Sequence, residues 1–353
     1  MTTGPVPADH PPRVVLVTGV SRYLGAQVAA RLAADPRIER VIGVDDREPA
    51  GDQATILAGT VEFVQADIRT AAPAGLLVRE RVETVVHLAI ASAADPQAGG
   101  RSAMKEQNVI GTMQLLAACQ HAPGVRKIVF RSSTAAYGAS FRDPAVFTEE
   151  TEPREVPRGG FARDVLDIEG YVRGFRRRRR DVAATVLRFA PLIGRRANTS
   201  ITRYFSSAMV PTVLGRDPRL QFIHVDDALD ILHRAVVEDH PGTFNVAGAG
   251  VITLSQAVRR AGRIGVPVPE PALSAVGRRQ GVRFSLDQLD LFVHGRVVDT
   301  SRLVEEFQVT PRSTPVAFDD FLRGIGAVLP RDAIGALEQS ILAGLRRSRA
   351  ALR

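Results

Sequence analysis

The chain has 353 residues, of which 45% are apolar and 24% charged, so it can bury the core of one large domain or of two fused ones. No apolar run approaches the roughly 20 residues that span a bilayer, and the single cysteine, Cys119, cannot form an internal disulfide. Because no segment of the signal-peptide type opens the sequence, these features predict a protein of the reducing cytoplasm.

The formal net charge of +8 comes almost entirely from arginine, because only Lys105 and Lys127 among the 46 basic residues are lysines. The arginine run at 176–180 is expected at the end of a helix, where cations face the negative end of the helix dipole. Residues 331–353 predict a basic amphipathic helix that packs on its own domain, with docking on a membrane surface as the alternative. Aromatic residues make up 5% of the chain and no recognition motif is present, so we expect no nucleic-acid partner.

In chain order, residues 1–12 are rich in proline and lack periodicity, which predicts a disordered lead-in. Short β-branched runs then alternate with stretches of helical spacing, which predicts a Rossmann-type α/β domain with a doubly wound parallel sheet over 13–190. Prolines punctuate the shorter elements that follow, which indicates a smaller C-terminal substrate lobe over 191–330, with elements near 220–248 returning to the first domain. The expected strands are 14–17, 41–44, 63–65, 84–87, 128–130 and 185–187.

The first strand leads into a turn that contains two glycines, and a helix follows. Gly19 permits a sharp turn, Gly25 lets the helix pack close to the sheet, and the helix N-terminus points free amide groups at a pyrophosphate. Asp45 ends the second strand, where a carboxylate accepts hydrogen bonds from the adenosine ribose and repels a 2′-phosphate. The pattern therefore predicts NAD as the cofactor and disfavours NADP. The residues expected at the pyrophosphate are Gly19, Ser21, Arg22, Tyr23, Leu24 and Gly25.

Further motifs follow in a characteristic order along the chain. They are Ala66-Asp67-Ile68, His87-Leu88-Ala89, Asn108-Val109-Ile110-Gly111-Thr112, Ser132-Ser133-Thr134-Ala135-Ala136-Tyr137-Gly138, Leu187-Arg188-Phe189, Phe222-Ile223-His224-Val225-Asp226-Asp227 and Phe244-Asn245-Val246-Ala247-Gly248. Together with the glycine turn, they resemble the extended short-chain dehydrogenase/reductase family, and within it the NAD-dependent epimerase/dehydratase group. The resemblance covers residues 13–330.

The resemblance implies a nucleotide sugar as the substrate and Ser133 as the hydroxyl that helps the catalytic base. It also implies a homodimer in which helices near 104–121 and 161–179 form a four-helix interface. Asp226 and Asp227 are expected to cap a helix rather than to take part in chemistry. The further expected cofactor contacts are Asp67 and Ile68 at the adenine, Leu88 and Ala89 at the ribose and nicotinamide, and Asn108 and Ser132.

One departure from the family pattern affects the catalytic pair. The family uses Tyr-x-x-x-Lys, in which the tyrosine exchanges the proton and the lysine lowers its pKa and holds the nicotinamide ribose. Phe161 and Val165 stand at these two positions, neither can exchange a proton, and no Tyr-x-x-x-Lys occurs anywhere in the chain. Loss of a positioned acid–base group typically costs about 10²–10⁴-fold in rate. We therefore expect slow or absent 4-keto chemistry unless Tyr137, Arg163 or Asp164 substitutes.

Other departures concern the cofactor turn and the substrate side. Arg22 replaces the middle glycine of the fingerprint, where its guanidinium is expected to lie against the pyrophosphate. Thr134 and Ala135 follow Ser133 where dehydratases carry an acid pair, which disfavours dehydration, and Pro191 stands where many family members place a substrate-binding asparagine. The histidines show no metal-ligand spacing, so we expect no metal.

Two functional hypotheses therefore stay open. In the first, the protein is a nucleotide-sugar epimerase-like enzyme that uses tightly held NAD, with impaired or altered catalysis and Ser133 as the surviving catalytic group. In the second, it is a non-catalytic NAD-binding scaffold or a redox-sensing protein, in which cofactor occupancy stabilises a surface for a partner.

Overall fold

The computed structural model describes residues 11–275 and 285–326. The helix expected over 331–353 and nearly all of the expected lead-in lie outside these residues. Within the described ranges, no helix combines the length and hydropathy that crossing a membrane requires, and no group of three metal-ligating side chains comes together.

The described chain alternates strands and helices as far as β6. The strands are β1 (Val14–Thr18), β2 (Arg40–Asp45), β3 (Glu62–Gln65), β4 (Thr84–His87), β5 (Lys127–Ser133), β6 (Ala183–Phe189), β7 (Leu192–Ile193), β8 (Met209–Val213), β9 (Arg219–Leu220), β10 (Ile223–His224), β11 (Gly242–Val246), β12 (Ile252–Thr253) and β13 (Ile264–Val268). The helices are α1 (Tyr23–Ala33), α2 (Asp52–Leu57), α3 (Ala72–Arg79), α4 (Gly100–Lys105), α5 (Gly111–His121), α6 (Gly160–Arg178), α7 (Ser200–Ser206), α8 (Val225–Val237), α9 (Leu254–Arg260), α10 (Leu286–His294), α11 (Ser301–Phe307) and α12 (Thr314–Leu322). A π-helical turn, Glu106–Ile110, joins α4 to α5.

Seven parallel strands form the central sheet in the order β11-β6-β5-β4-β1-β2-β3. The chain moves outward from β1 in one direction through β2 and β3 and in the other through β4, β5 and β6. Every strand expected from the sequence falls within this sheet, so the prediction of a doubly wound Rossmann-type α/β fold is confirmed. Because the strand order reverses beside β1, a crevice opens at the carboxyl ends of β1 and β4, where such folds bind ligands.

Apolar side chains cover both faces of the sheet. On one face α1 packs against α8, with Leu32 and Leu232 fully buried. On the other face α3, α5 and α6 pack together over Leu116 and Phe175. The elements after β6 enclose a separate apolar cluster around Phe205, while β11 returns to the edge of the central sheet beside β6.

The arginine run ends α6, because the helix stops at Arg178. The next residue, Arg179, donates hydrogen bonds to the carbonyl of Cys119 at 2.9 Å and to that of Val125 at 3.0 Å, and its guanidinium pairs with Asp181 at 2.7 Å. Arg179 therefore satisfies carbonyl groups at and beyond the C-terminal end of α5, where a cation also opposes the helix dipole.

Candidate cofactor cleft and substrate cavity

Two adjacent spaces lie at the carboxyl ends of the central strands. The main cleft, beside Asp45 at the end of β2, has a volume of about 620 Å³. The Ser133 cavity, of about 130 Å³, lies between the end of β5, the start of α6 and the elements after β6. Ser92, Thr199 and Ser200 line both spaces. The two spaces are therefore neighbours that meet at these three residues.

The two glycines of the turn after β1 are sterically required. Gly19 has a φ of +82°, and a Cβ there would lie 2.8 Å from the backbone of Ala89. A Cβ on Gly25 would lie 2.0 Å from the carbonyl oxygen of Gly19. The backbone of the turn is thus in direct contact with the loop after β4 on one side and with the start of α1 on the other. Because no side chain caps the N-terminus of α1 at Arg22, amide groups of its first turn are free to bind an anion.

Asp45 is buried beside this turn, with 7% of its surface exposed. One carboxylate oxygen accepts a hydrogen bond from the Ser21 amide at 2.9 Å, and the other accepts from the Asp46 amide at 2.9 Å. Burial raises the pKa of Asp45, while the Ser21 amide and the charge of Arg22 act in the opposite direction. These bonds orient the carboxylate at the edge of the main cleft and leave lone pairs for a further donor.

The segment after β3, which we expect at the adenine, has its side chains held by protein contacts. The carboxylate of Asp67 forms an ion pair with Arg69 at 2.8 Å, which lowers the pKa of Asp67. Ile68 is buried against Gly111, where a Cβ would lie 2.8 Å from the Ile68 side chain. Arg69, rather than Asp67 or Ile68, lines the main cleft.

A buried histidine joins the ends of β1 and β4. The hydroxyl of Thr112 donates to the carbonyl of Asn108 at 2.5 Å, so it accepts from His87 Nε2 at 2.9 Å. His87 Nδ1 then accepts from the hydroxyl of Thr18 at 2.8 Å, and Thr18 Oγ1 accepts from the amide of Leu88 at 3.2 Å. Burial lowers the pKa of His87 to about 3. The neutral ring therefore positions the loop containing Leu88 and has no titrating role near neutral pH.

Asn108 links the loop after β4 to α6. Its side chain accepts from the Ala91 amide at 2.8 Å, donates to the Ala91 carbonyl at 2.9 Å and donates to Asp164 at 3.0 Å. Asp164 is fully buried and also forms an ion pair with Arg101 at 2.5 Å. These bonds use the polar groups of Asn108 and Asp164 in holding α6 against the sheet, so Asp164 is a structural residue rather than a substitute acid.

The N-terminus of α6 is positioned by α10. Asp287 accepts a hydrogen bond from the Ala162 amide at 2.9 Å. A Cβ on Gly159 would lie 1.9 Å from the Asp287 carboxylate. The first turns of α6 carry Phe161 and Val165, both buried. Phe161 lines the Ser133 cavity, so the side chain that we expect at the family's tyrosine position faces this space without a group that can exchange a proton.

The two serines at the end of β5 have different surroundings. Ser132 donates its hydroxyl to Glu169 at 2.6 Å, so this group is committed to α6. Ser133 is half-buried, and its Oγ accepts from the Ala135 amide at 3.2 Å at the start of a 3-10 turn. This bond leaves the Ser133 proton free for a molecule in the cavity.

Tyr137 lies in a buried network outside both spaces. Its hydroxyl donates to Asn245 at 2.7 Å and accepts from Arg188 at 2.8 Å, and its ring stacks on Phe147 with a centroid separation of 4.8 Å. Burial raises the pKa of Tyr137, against the opposing effect of the nearby Arg188. This position argues against the expected role of Tyr137 as a replacement acid–base, and we do not propose it further.

The expectation that Asp226 and Asp227 cap α8 needs correction. The cap is the imidazole of His224, whose Nδ1 accepts from the Asp226 amide at 3.2 Å. Asp227 instead accepts from the backbone amide of Arg312 at 2.8 Å. The Asp227 carboxylate therefore joins α8 to the segment before α12.

The structure separates the expected site residues into three groups. Ser21, Arg22 and Asp45 line the main cleft, and Ser132 and Ser133 line the Ser133 cavity. The remaining residues shape or support these spaces without lining them: Gly19, Tyr23, Leu24, Gly25, Asp67, Ile68, Leu88, Ala89 and Asn108. Two cavity residues that the sequence analysis missed are Arg131 and Arg296. A signal for Arg131 was available, because it lies two residues before Ser133 and so on the same face of β5.

The doubly wound sheet, the glycine turn and the carboxylate at the end of β2 define a protein of the Rossmann class. The chain belongs to the NAD dependent epimerase/dehydratase family, whose sequence profile matches residues 15–247. The family resemblance indicated by the motifs is therefore confirmed.

Individual relatives agree with this assignment. An uncharacterised protein of Mycobacterium tuberculosis is 48% identical over 326 residues, which cover 90% of this chain and 86% of that protein. A UDP-glucose 4-epimerase of Mycolicibacterium smegmatis is 31% identical over 269 residues, which cover 71% and 83%.

Solved structures share the fold. UDP-glucose 4-epimerase from Thermotoga maritima with UDP-glucose has a TM-score of 0.69 at 19% identity, covering 88% of this chain and 98% of that one. UDP-glucuronic acid 4-epimerase from Bacillus cereus in complex with NAD has a TM-score of 0.65 at 17% identity, covering 92% and 99%.

Proposed function

We propose that the protein is a cytoplasmic, NAD-binding, nucleotide-sugar epimerase-like member of its family, with catalysis impaired or altered by Phe161 and Val165. The observation that carries this proposal is that the main cleft, beside Asp45, and the Ser133 cavity are adjacent and share Ser92, Thr199 and Ser200 as lining residues. A cofactor in the first space would present its reactive end to a substrate in the second. UDP-sugar epimerases among the relatives and solved structures support the substrate class.

The residues of the main cleft fit a dinucleotide. The close approach at Gly19 and Gly25 leaves no room for a Cβ, so backbone amide groups come near enough to bind a pyrophosphate. The guanidinium of Arg22 would meet the same charges, and Asp45 would accept from the adenosine ribose. When bound, NAD supplies reversible hydride transfer at its nicotinamide ring.

NAD is preferred over NADP in this proposal because of the charge on Asp45. Arg69 lines the same cleft, but its guanidinium is already paired with Asp67. Arg47 also lines the cleft and is the cation that would favour a 2′-phosphate. Asp45 is fixed at the turn, because it accepts directly from the Ser21 amide, and its negative charge would oppose a phosphate at the neighbouring ribose.

We expect the protein to bind NADH at least about tenfold more tightly than NADPH, since one hydrogen bond to a charged group contributes about 1.5–3 kcal/mol. Asp45→Asn removes the charge at similar volume and should bring the ratio of the two dissociation constants close to one. Isothermal titration calorimetry measures both constants. Asp52→Asn is the matched control, because Asp52 is exposed at the start of α2 and does not line the cleft, and it should leave the ratio unchanged. A preference of the unmodified protein for NADPH would contradict the assignment.

The catalytic part of the proposal rests on Ser133. Its hydroxyl faces the cavity with a free proton, whereas Phe161 and Val165 supply no acid–base group. In the alternative, a scaffold or redox sensor, the cavity residues shape the cofactor-bound surface without turnover. The buried, paired state of Tyr137 and Asp164 favours this alternative, because neither can replace the missing tyrosine.

The two hypotheses differ in their expected turnover. Purified protein incubated with UDP- and dTDP-sugars and followed by NMR should show slow epimerisation if the first is right, and Ser133→Ala should abolish it. Bound NAD without conversion of any sugar in the panel would support the scaffold or sensor instead.

We further propose a homodimer through α5 and α6. Ile110, at the end of the π-helical turn that leads into α5, is 39% exposed, and Tyr171 on α6 is 40% exposed. Leu166 on α6 is partly exposed. Light scattering at micromolar concentration should give twice the 38.1 kDa of the chain. Tyr171→Glu should yield a monomer, whereas Val78→Glu, at a more exposed apolar residue on α3, should not. A monomeric unmodified protein would contradict this interface.

A further inference from the structure

Arg131 brings a positive charge into the Ser133 cavity. It precedes Ser133 by two residues on β5, and both residues line the cavity together with Phe161. One guanidinium nitrogen, Nη1, donates to the carbonyl of Ile90 just beyond the end of β4, at 2.9 Å. The side chain is thus held across the carboxyl ends of two adjacent strands, where the expected cofactor meets its substrate.

The opposite edge of this guanidinium is unpaired among the described residues. Arg131 Nε is buried and has no hydrogen-bond partner among the described residues, and the same residues provide none for Nη2. Nε and Nη2 share one edge of the planar group, and two parallel N–H donors on such an edge match the two oxygens of a carboxylate. An unpaired edge of this kind inside a cavity indicates a binding position for an anion.

The charges around the cavity leave Arg131 without a counterion. Among the described lining residues Asp287 is the acidic one, and its carboxylate already accepts from the Ala162 amide at the start of α6. Arg296, the other cation, donates from Nε and Nη2 to the carbonyl of Gly138. Burial and the nearby Arg22 lower the pKa of Arg131 to about 10, so the group is still protonated at neutral pH. A buried charge without a partner is unfavourable, and an anionic ligand would remove this cost.

We propose that the unpaired edge of Arg131 binds a carboxylate of the substrate beside Ser133, so that the protein acts on a sugar acid. The inference rests on the proposed function, because it assigns the substrate class of the same site. The cofactor pyrophosphate is the other source of an anion, but it would lie at the turn with Arg22, which lines the main cleft, whereas Arg131 lines the cavity.

The test compares two ligands that differ in the carboxylate, UDP-glucuronic acid and UDP-glucose, by calorimetry on the full chain in the presence of saturating NAD. The unmodified protein should bind the acid at least about tenfold more tightly, as expected for charge-assisted hydrogen bonds. Arg131→Gln should reduce this ratio to about one. Arg131→Lys, which keeps the charge and loses the two-donor edge, should retain part of it.

Arg79→Gln on α3 is the matched control. It makes the same change of charge at an exposed residue that pairs with Glu80, and it should leave the ratio unchanged. Circular dichroism melting curves verify that each variant is folded. If Arg131→Gln does not fold, Arg131→Lys decides the outcome. If Arg131→Lys prefers UDP-glucuronic acid over UDP-glucose as strongly as the unmodified protein does, the proposal is overturned.

Several outcomes would overturn the inference. They are equal affinity for the two ligands in the unmodified protein, failure of both to bind, and a preference that survives Arg131→Gln. Loss of NAD affinity in Arg131→Gln with an unchanged ligand ratio would assign the guanidinium to the cofactor instead. The protein could also prefer UDP-glucuronic acid, with dependence on Arg131, and yet bind no NAD. That result would support the inference and contradict the proposed function, so the two failures can be told apart.

Discussion

Phe161→Tyr combined with Val165→Lys is expected to raise epimerisation of a UDP-sugar by about 10²–10⁴-fold, the usual contribution of a positioned acid–base group. Phe161 already lines the Ser133 cavity, and Val165 lies one helical turn later on α6. The new phenol would therefore enter the cavity beside Ser133, and the new ammonium would lower the pKa of that phenol. NMR of UDP-glucose and UDP-galactose measures the interconversion.

The control variants separate the acid–base group from a change in packing. Phe161→Tyr alone should give a smaller gain, because the phenol then lacks the neighbouring ammonium. Phe161→Leu with Val165→Leu should give none. Adding Ser133→Ala to the active double variant should remove the gain. A double variant that is folded and binds NAD but converts no sugar would show that the cavity is not a UDP-sugar site, and would favour the scaffold or sensor hypothesis.

Glu169→Ala is expected to lower the free energy of unfolding by about 3–5 kcal/mol, the usual cost of breaking a buried ion pair. Glu169 is 3% exposed on α6 and accepts from Arg188 Nε at 2.9 Å and from Nη2 at 2.6 Å. It also accepts the Ser132 hydroxyl. The substitution leaves a buried guanidinium uncompensated and a buried hydroxyl without its acceptor. Urea unfolding followed by circular dichroism measures the change.

Glu62→Ala is the matched control for this loss. Glu62 pairs with Arg40 at 2.7 Å, but both side chains are largely exposed, and exposed pairs contribute about 0–1 kcal/mol. The control should therefore change the free energy of unfolding by less than about 1 kcal/mol. If Glu169→Ala also lowered the free energy of unfolding by less than about 1 kcal/mol, the buried Glu169–Arg188 pair would not stabilise the fold as we expect.

Much of the cofactor cleft could be predicted from short stretches of sequence. The positions of Gly19 and Gly25 between a strand and a helix predicted the turn, and the structure shows why no other residue fits there. The place of Asp45 at the end of the second strand predicted its position beside that turn. The sequence also excluded the family's Tyr-x-x-x-Lys pair without any structure, because none of the four tyrosines has a lysine four residues later.

The surroundings of single side chains could not be predicted in this way. The bond between the Asp67 carboxylate and Arg69, two residues away, was not expected from the sequence. Tyr137 was considered as a substitute acid because it is close to Ser133 in sequence. Its hydroxyl instead bonds to Asn245, 108 residues later, because β11 returns to the sheet beside β6.

The sequence by itself determined the parallel α/β architecture, the glycine turn and the absence of the usual catalytic pair, since these depend on periodicity, local backbone geometry and residue identity. Only the tertiary structure decided which groups meet in the Ser133 cavity. Asp287 reaches the start of α6 across 125 positions of sequence, and Arg131 reaches Ile90 across 41. The physical reason is that burial and hydrogen-bond partners are set by which strands and helices pack together, and contacts between distant segments leave no local pattern in one sequence.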